Sequence, residues 1–200
     1  MHWTSNIDNK IEKVELRKSP LIIRVNKFDE ESAKKFSDEI ALAHNTGQDI
    51  IPIVIDSYGG QVYSLMAMIS AIKHAELPVA TIVEGKAMSC GAILFSFGEQ
   101  GRRFMDPDAT LMIHDVSSMD MGKVEELKAS AKEADRLNKI VYEMMAQNCG
   151  KVDDYFMKIV DKKKHADWFL NAKQAKSHGL ANYLRVPKLS IKVTVDIDFE

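Results

Sequence analysis

The chain is short of the residues that most often announce a function. It has two cysteines, Cys90 and Cys149, among 200 residues. They are too few and too far apart for a disulfide scaffold or a zinc ribbon, and a reduced, cytoplasmic compartment is the expectation. The six histidines (His2, His44, His74, His114, His165 and His178) show no HExxH or HxH spacing, so neither a metal site nor a cofactor is expected. Each of the Gly-Lys pairs at 85–86, 122–123 and 150–151 is followed by Ala or Val, and none has a glycine five residues upstream. The chain therefore carries no P-loop, and any dependence on ATP must come from a partner. No apolar run approaches the roughly 18–20 residues that span a bilayer. The first residues, Met1 to Asn6, lack a basic segment followed by an apolar one, so no signal peptide is expected. Lys and Arg (27) nearly balance Asp and Glu (29). That excludes a nucleic-acid binder driven by bulk positive charge, and it leaves no polybasic membrane anchor.

What is present suits one compact domain. Apolar residues make up 46% and charged residues 28%, ordinary values for a soluble globular chain. Residues 1–19 have no clear period and are expected to form an arm. Pro20 to Val25 reads as a strand. Asp29 to His44 reads as a helix, with Phe36, Ile40 and Ala43 on one face and cap chemistry from Asp29 and Ser32. Ile50 to Ile55 is a continuous apolar run, as expected of a strand buried on both faces. It enters the turn Asp56-Ser57-Tyr58-Gly59-Gly60. A buried helix over 62–74, a strand over 79–83, a small-residue turn over 85–91 and an apolar helix ending near Gly98 follow. Two short strands lie over 101–104 and 109–114. Gly122 to Asn148 reads as a long charged helix with an apolar stripe from Val124 to Met145. Shorter helices lie over 155–160 and 171–178. From Leu189 to Phe199 apolar and polar residues alternate strictly, the mark of a half-buried strand. The order is that of an α/β fold with crossover helices.

Four segments carry candidate chemistry. Ala87-Met88-Ser89-Cys90-Gly91 fits a relaxed nucleophile elbow, where small neighbours let a serine oxygen stand clear between strand and helix. Taken alone, it also fits an ordinary helix cap. Gly59-Gly60 closes a buried strand and allows positive φ and close backbone approach. Its exposed N–H groups, with that of Cys90, can form an oxyanion hole. His114 ends an apolar strand, where it can face a cleft or sit satisfied in the core. Asp167 precedes Trp168-Phe169-Leu170. It can orient a histidine or cap a helix, and Asp115, Asp154 and Asp161 compete for the first role.

Taken in order, Asp-Ser-x-Gly-Gly, Ala-x-Ser-x-Gly-Ala, Met-Ile-His and Asp-x-Phe-Leu-x-Ala resemble the ClpP family of serine peptidases, over about residues 20–185. The resemblance implies a ClpP/crotonase-like spiral of ββα units, with a peptidase domain over 20–186, a projecting handle helix over 122–148 and a tail over 187–200. It makes Ser89 the nucleophile, His114 the general base and Asp167 the acid that orients it. The backbone N–H groups of Gly59 and Cys90 become the oxyanion hole, and Gly60, Gln61 and Val62 the segment beside which a substrate peptide adds as a strand. It further implies seven-subunit rings stacked as a tetradecamer, unfolded polypeptides as substrates and a Clp-type ATPase unfoldase as partner. Neither nucleic acid nor membrane is expected as a partner. The sequence departs from the family pattern at Tyr58, Asp115-Val116 and Trp168, in the arm and in the tail. Other readings are a catalytically silent ClpP-like subunit of a mixed ring, a crotonase-like acyl-CoA enzyme, and a thiol nucleophile at Cys90.

Overall fold

The structure, a computed structural model, describes residues 12–116 and 121–197. The chain divides into two compact units, Leu21–Pro187 and the two termini together. In the larger unit the strands are β2 (Ile23–Val25), β3 (Ile51–Ser57), β4 (Val79–Met88), β5 (Arg103–Met105), β6 (Thr110–Ile113) and β7 (Trp168–Asn171), of which β2, β3 and the first half of β4 are rich in β-branched residues. The sheet order is β2-β3-β4-β6-β7, with β5 paired separately to β4. All pairs are parallel except β6 with β7. Parallel strands covered by crossover helices need apolar residues on both faces. Accordingly, Ile51 to Ile55 and Val79 to Val83 are buried throughout.

The crossovers are α1 (Glu30–Ala43), α2 (Val62–Lys73) and α3 (Cys90–Phe95). Asp29 caps α1 as the sequence predicts. Its carboxylate accepts from the Ser32 N–H at 2.8 Å, and Ser32 Oγ accepts from the Asp29 N–H at 2.9 Å, a reciprocal capping box. α1 packs on α2, and α3 lies against β3, β4 and β6. Phe36, Ile40, Leu65, Met68, Phe95 and Leu111 belong to one continuous core.

β4 departs from expectation. The predicted turn over 85–91 is strand as far as Met88, because Lys86, Ala87 and Met88 pair with Thr110, Leu111 and Met112 of β6. The first half of β4 pairs with β5 instead. With β3 on its other edge, one long strand thus serves β5 and then β6, and its far end is carried to the site.

α4 (Val124–Asn148) is the long charged helix, followed by α5 (Tyr155–Lys162) and α6 (Ala172–Ser177). The stripe of α4 is buried only from Leu137 onward, and Val124 and Leu127 stand exposed. Arg103, wholly buried, fixes the far end of α4. Its guanidinium donates to the Ser96 carbonyl at 3.1 Å and to the Asn148 carbonyl at 2.6 Å. One cation thereby satisfies carbonyls at the C-terminal ends of α3 and α4.

The terminal unit is an antiparallel ribbon of β1 (Glu12–Lys18) and β8 (Ile191–Ile197), with Glu12 opposite Ile197 and Lys18 opposite Ile191. The expected strand near the C-terminus is present, but its partner is the segment expected to be an irregular arm. The rest of the arm and the last residues of the alternating tail lie outside the described residues.

Candidate active site

Ser89 stands at the junction of β4 and α3 with φ 54° and ψ −121°. A non-glycine residue at positive φ is uncommon, and the conformation persists only where the surroundings enforce it. Here the Ser89 N–H donates to the Met112 carbonyl of β6 at 2.8 Å, and the Ser89 carbonyl accepts from Ala92 and Ile93 in α3. The two elements pull the residue into a sharp corner, the geometry of a nucleophile elbow.

Gly59 lies against this corner. With φ 105°, a Cβ on Gly59 would fall 2.8 Å from Ser89 Cβ and 3.2 Å from Ser89 Oγ, so only glycine fits. Gly60 is confined on its other side. A Cβ there would collide with the Phe28 carbonyl, to which Gln61 donates its N–H at 2.8 Å. Phe28 thus braces the glycine turn, a role that nothing in its sequence neighbourhood announces.

The two oxyanion candidates differ in state. The Cys90 N–H is the first of α3 and has no intrahelical acceptor. The Gly59 N–H donates to Ser57 Oγ at 3.0 Å, and Ser57 is fully buried. The Cys90 thiol is no nucleophile. It is buried, it faces the Gly60 carbonyl at 3.3 Å, and burial pushes its pKa up. Of the predicted substrate segment, Gly60 is exposed and Gln61 spends its N–H on Phe28. Val62 opens α2.

His114 follows the last residue of β6, and Asp167 precedes the first residue of β7. The antiparallel register ends on Ile113 opposite Trp168. One step further places His114 opposite Asp167, and His114 Nδ1 lies 3.8 Å from Asp167 Oδ1. This is ion-pair range, longer than a hydrogen bond. Because Met88 is paired with Met112, Ser89 and His114 occupy the ends of adjacent strands. The competing acids are engaged elsewhere. Asp154 pairs with Lys158 at 2.6 Å, and Asp115 accepts from His165 Nδ1 at 2.6 Å and from the Tyr142 hydroxyl at 2.9 Å. Asp161 lies 3.7 Å from the same histidine. Among the described residues, no group of histidine, cysteine and carboxylate side chains is placed to hold a metal ion.

A serine held at positive φ where a parallel strand runs into a helix is an arrangement that α/β serine hydrolases also use. Comparison with protein families narrows this. The Clp protease family model matches residues 8–186, and the chain belongs to that family, the ClpP peptidases. Its mixed α/β architecture agrees with theirs. No helix among the described residues is long and apolar enough to cross a membrane.

Proposed function

We propose that the protein is a working serine endopeptidase of the ClpP type, with Ser89, His114 and Asp167 as its relay. His114 takes the Ser89 proton as the hydroxyl attacks the peptide carbonyl, then returns it to the leaving amine. Asp167 selects the tautomer and stabilises the imidazolium. The Cys90 N–H, joined by the Gly59 N–H once Ser57 releases it, receives the oxyanion; such donors are each worth about 3–4 kcal/mol in the transition state. An acyl-enzyme on Ser89 divides amide hydrolysis into two easier steps. A substrate strand runs beside Gly60 to Val62.

The observation that carries this reading is the register of β6 and β7, which sets His114 opposite Asp167 beside the strand end that bears Ser89. The exposed stripe on the first half of α4 supports a further part of the proposal, that handles meet between two stacked seven-subunit rings. Active sites in the enclosed chamber then receive unfolded chains from a Clp-type ATPase in the cytoplasm. The wild-type chain is expected to hydrolyse a short fluorogenic peptide and to take up a fluorophosphonate. Ser89→Ala should abolish both. Unchanged turnover in the variant removes the assignment.

The open His114–Asp167 distance and the engaged Gly59 N–H favour one second reading, a silent subunit. It predicts that the wild-type chain takes up no fluorophosphonate. Closure of these links in the substrate complex is the behaviour expected of the active enzyme.

A further inference from the structure

We propose that Asp115 and His165 are positioning residues, a clasp that holds the turn bearing Asp167 against the strand end bearing His114; this rests on the peptidase reading above. The two residues flank the relay on both sides. Asp115 directly follows His114, and His165 stands two positions before Asp167. The β6–β7 ladder has already ended at Ile113 and Trp168. Beyond it, the contact that closes the gap between the two segments is the bond from His165 Nδ1 to Asp115 Oδ2, at 2.6 Å. It is short where the neighbouring His114–Asp167 distance is long, at 3.8 Å.

Both ends of the clasp are anchored. Asp115 Oδ1 accepts from the hydroxyl of Tyr142, a buried residue of α4, at 2.9 Å. The next residue, Val116, donates its N–H to Asn138 Oδ1 of the same helix at 2.6 Å. The root of α4 thus fixes the chain immediately after His114. On the other side, α5 ends in a Schellman turn. The His165 N–H donates to the Val160 carbonyl at 3.1 Å and the Lys164 N–H to the Asp161 carbonyl at 2.9 Å. The left-handed position of this motif usually falls to glycine. Here Lys164 and then His165 adopt φ 56° and 60°. Two consecutive non-glycine residues in that region store strain. The strain sets His165 on Asp115, and the chain returns from there to Asp167. A turn free to relax would let Asp167 drift from His114, and a misplacement of about 1 Å near a reacting group can cost about 100-fold.

The test uses the full chain and two substitutions at exposed His165. His165→Asn keeps a donor where Nδ1 stood, and asparagine tolerates positive φ. His165→Gly frees the backbone and removes the donor. With a fluorogenic peptide, His165→Gly is expected to lower kcat about 10–100-fold with KM within about twofold, the signature of a lost positioning contact. His165→Asn should keep kcat within about threefold of wild type, because the bond to Asp115 survives. Wild-type turnover in His165→Gly overturns the clasp, and so does an equal loss in both variants. Fluorophosphonate uptake separates this failure from that of the underlying reading. Labelling of the wild-type chain at Ser89 with an unimpaired His165→Gly removes the clasp alone. A wild-type chain that is not labelled removes both.

Discussion

At the scale of the residue, the site is a problem of space before it is one of charge. Gly59 and Ser89 touch so closely that a single methyl group at 59 meets the serine side chain and the Met88 carbonyl. Gly59→Ala adds that collision to an unfavourable φ of 105°. It is expected to destabilise the chain by about 2 kcal/mol or more and to abolish peptide hydrolysis. A denaturant melt with a parallel turnover assay checks both, and wild-type values in both would contradict the packing described. The cysteines belong to structure rather than chemistry. Burial pushes the Cys149 thiol up to about 11 and that of Cys90 in the same direction, so neither is the reactive thiolate at neutral pH. Ser89, His114 and Asp167 stand out in the sequence because their flanking blocks follow the order of the family pattern they resemble. Phe28, Ser57 and His165 do not. Their roles arise from a backbone carbonyl, a buried hydroxyl and a strained turn, and none of these leaves a spacing in the sequence.

At the scale of the element, caps and registers decide where segments begin and end. Asp29 is held down to about 2, first by its bond to the Lys27 ammonium at 2.8 Å and then by the Ser32 N–H. An acid whose pKa is depressed by folding contributes stability above its unfolded value, near 3.9, and loses it as the pH falls through the folded value. Asp29→Asn keeps the cap but not the charge. The melting temperature of wild type should therefore exceed that of the variant above about pH 4, and the two should converge toward about pH 2. A gap that persists at pH 2 would refute the ionic contribution. Helix α1 was readable from its periodicity and cap, α2 from its apolar composition, α4 from its apolar stripe, and β3 from its continuous apolar run. The second half of β4 was not. Gly85, Ala87 and Gly91 resemble a turn locally, and it is pairing with distant strands, Ala87 with Ser57 of β3 and Lys86 to Met88 with β6, that makes the segment extended. β7 was hidden for the same reason, since its four residues take their conformation from β6.

At the scale of the whole molecule, the unit Leu21–Pro187 carries its own continuous core and every candidate catalytic residue. A chain cut after Pro187 should unfold cooperatively and keep Ser89 reactive toward a fluorophosphonate, while its assembly mass changes. Loss of the fold on trimming would instead place the tail in the core. The general α/β class and the alternating strand of the tail were legible, but the partner of that strand was not. Glu12 to Lys18 has no period of its own, and it becomes a strand through its pairing with Ile191 to Ile197. This pairing has a consequence for biosynthesis. A strand near residue 12 leaves the ribosome long before its complement near residue 197 exists. Throughout elongation its hydrogen-bonding edge stays open, the kind of surface that templates misassociation on crowded polysomes. The unit Leu21–Pro187 can collapse in the meantime, and the ribbon can close only once residues 191–197 have emerged.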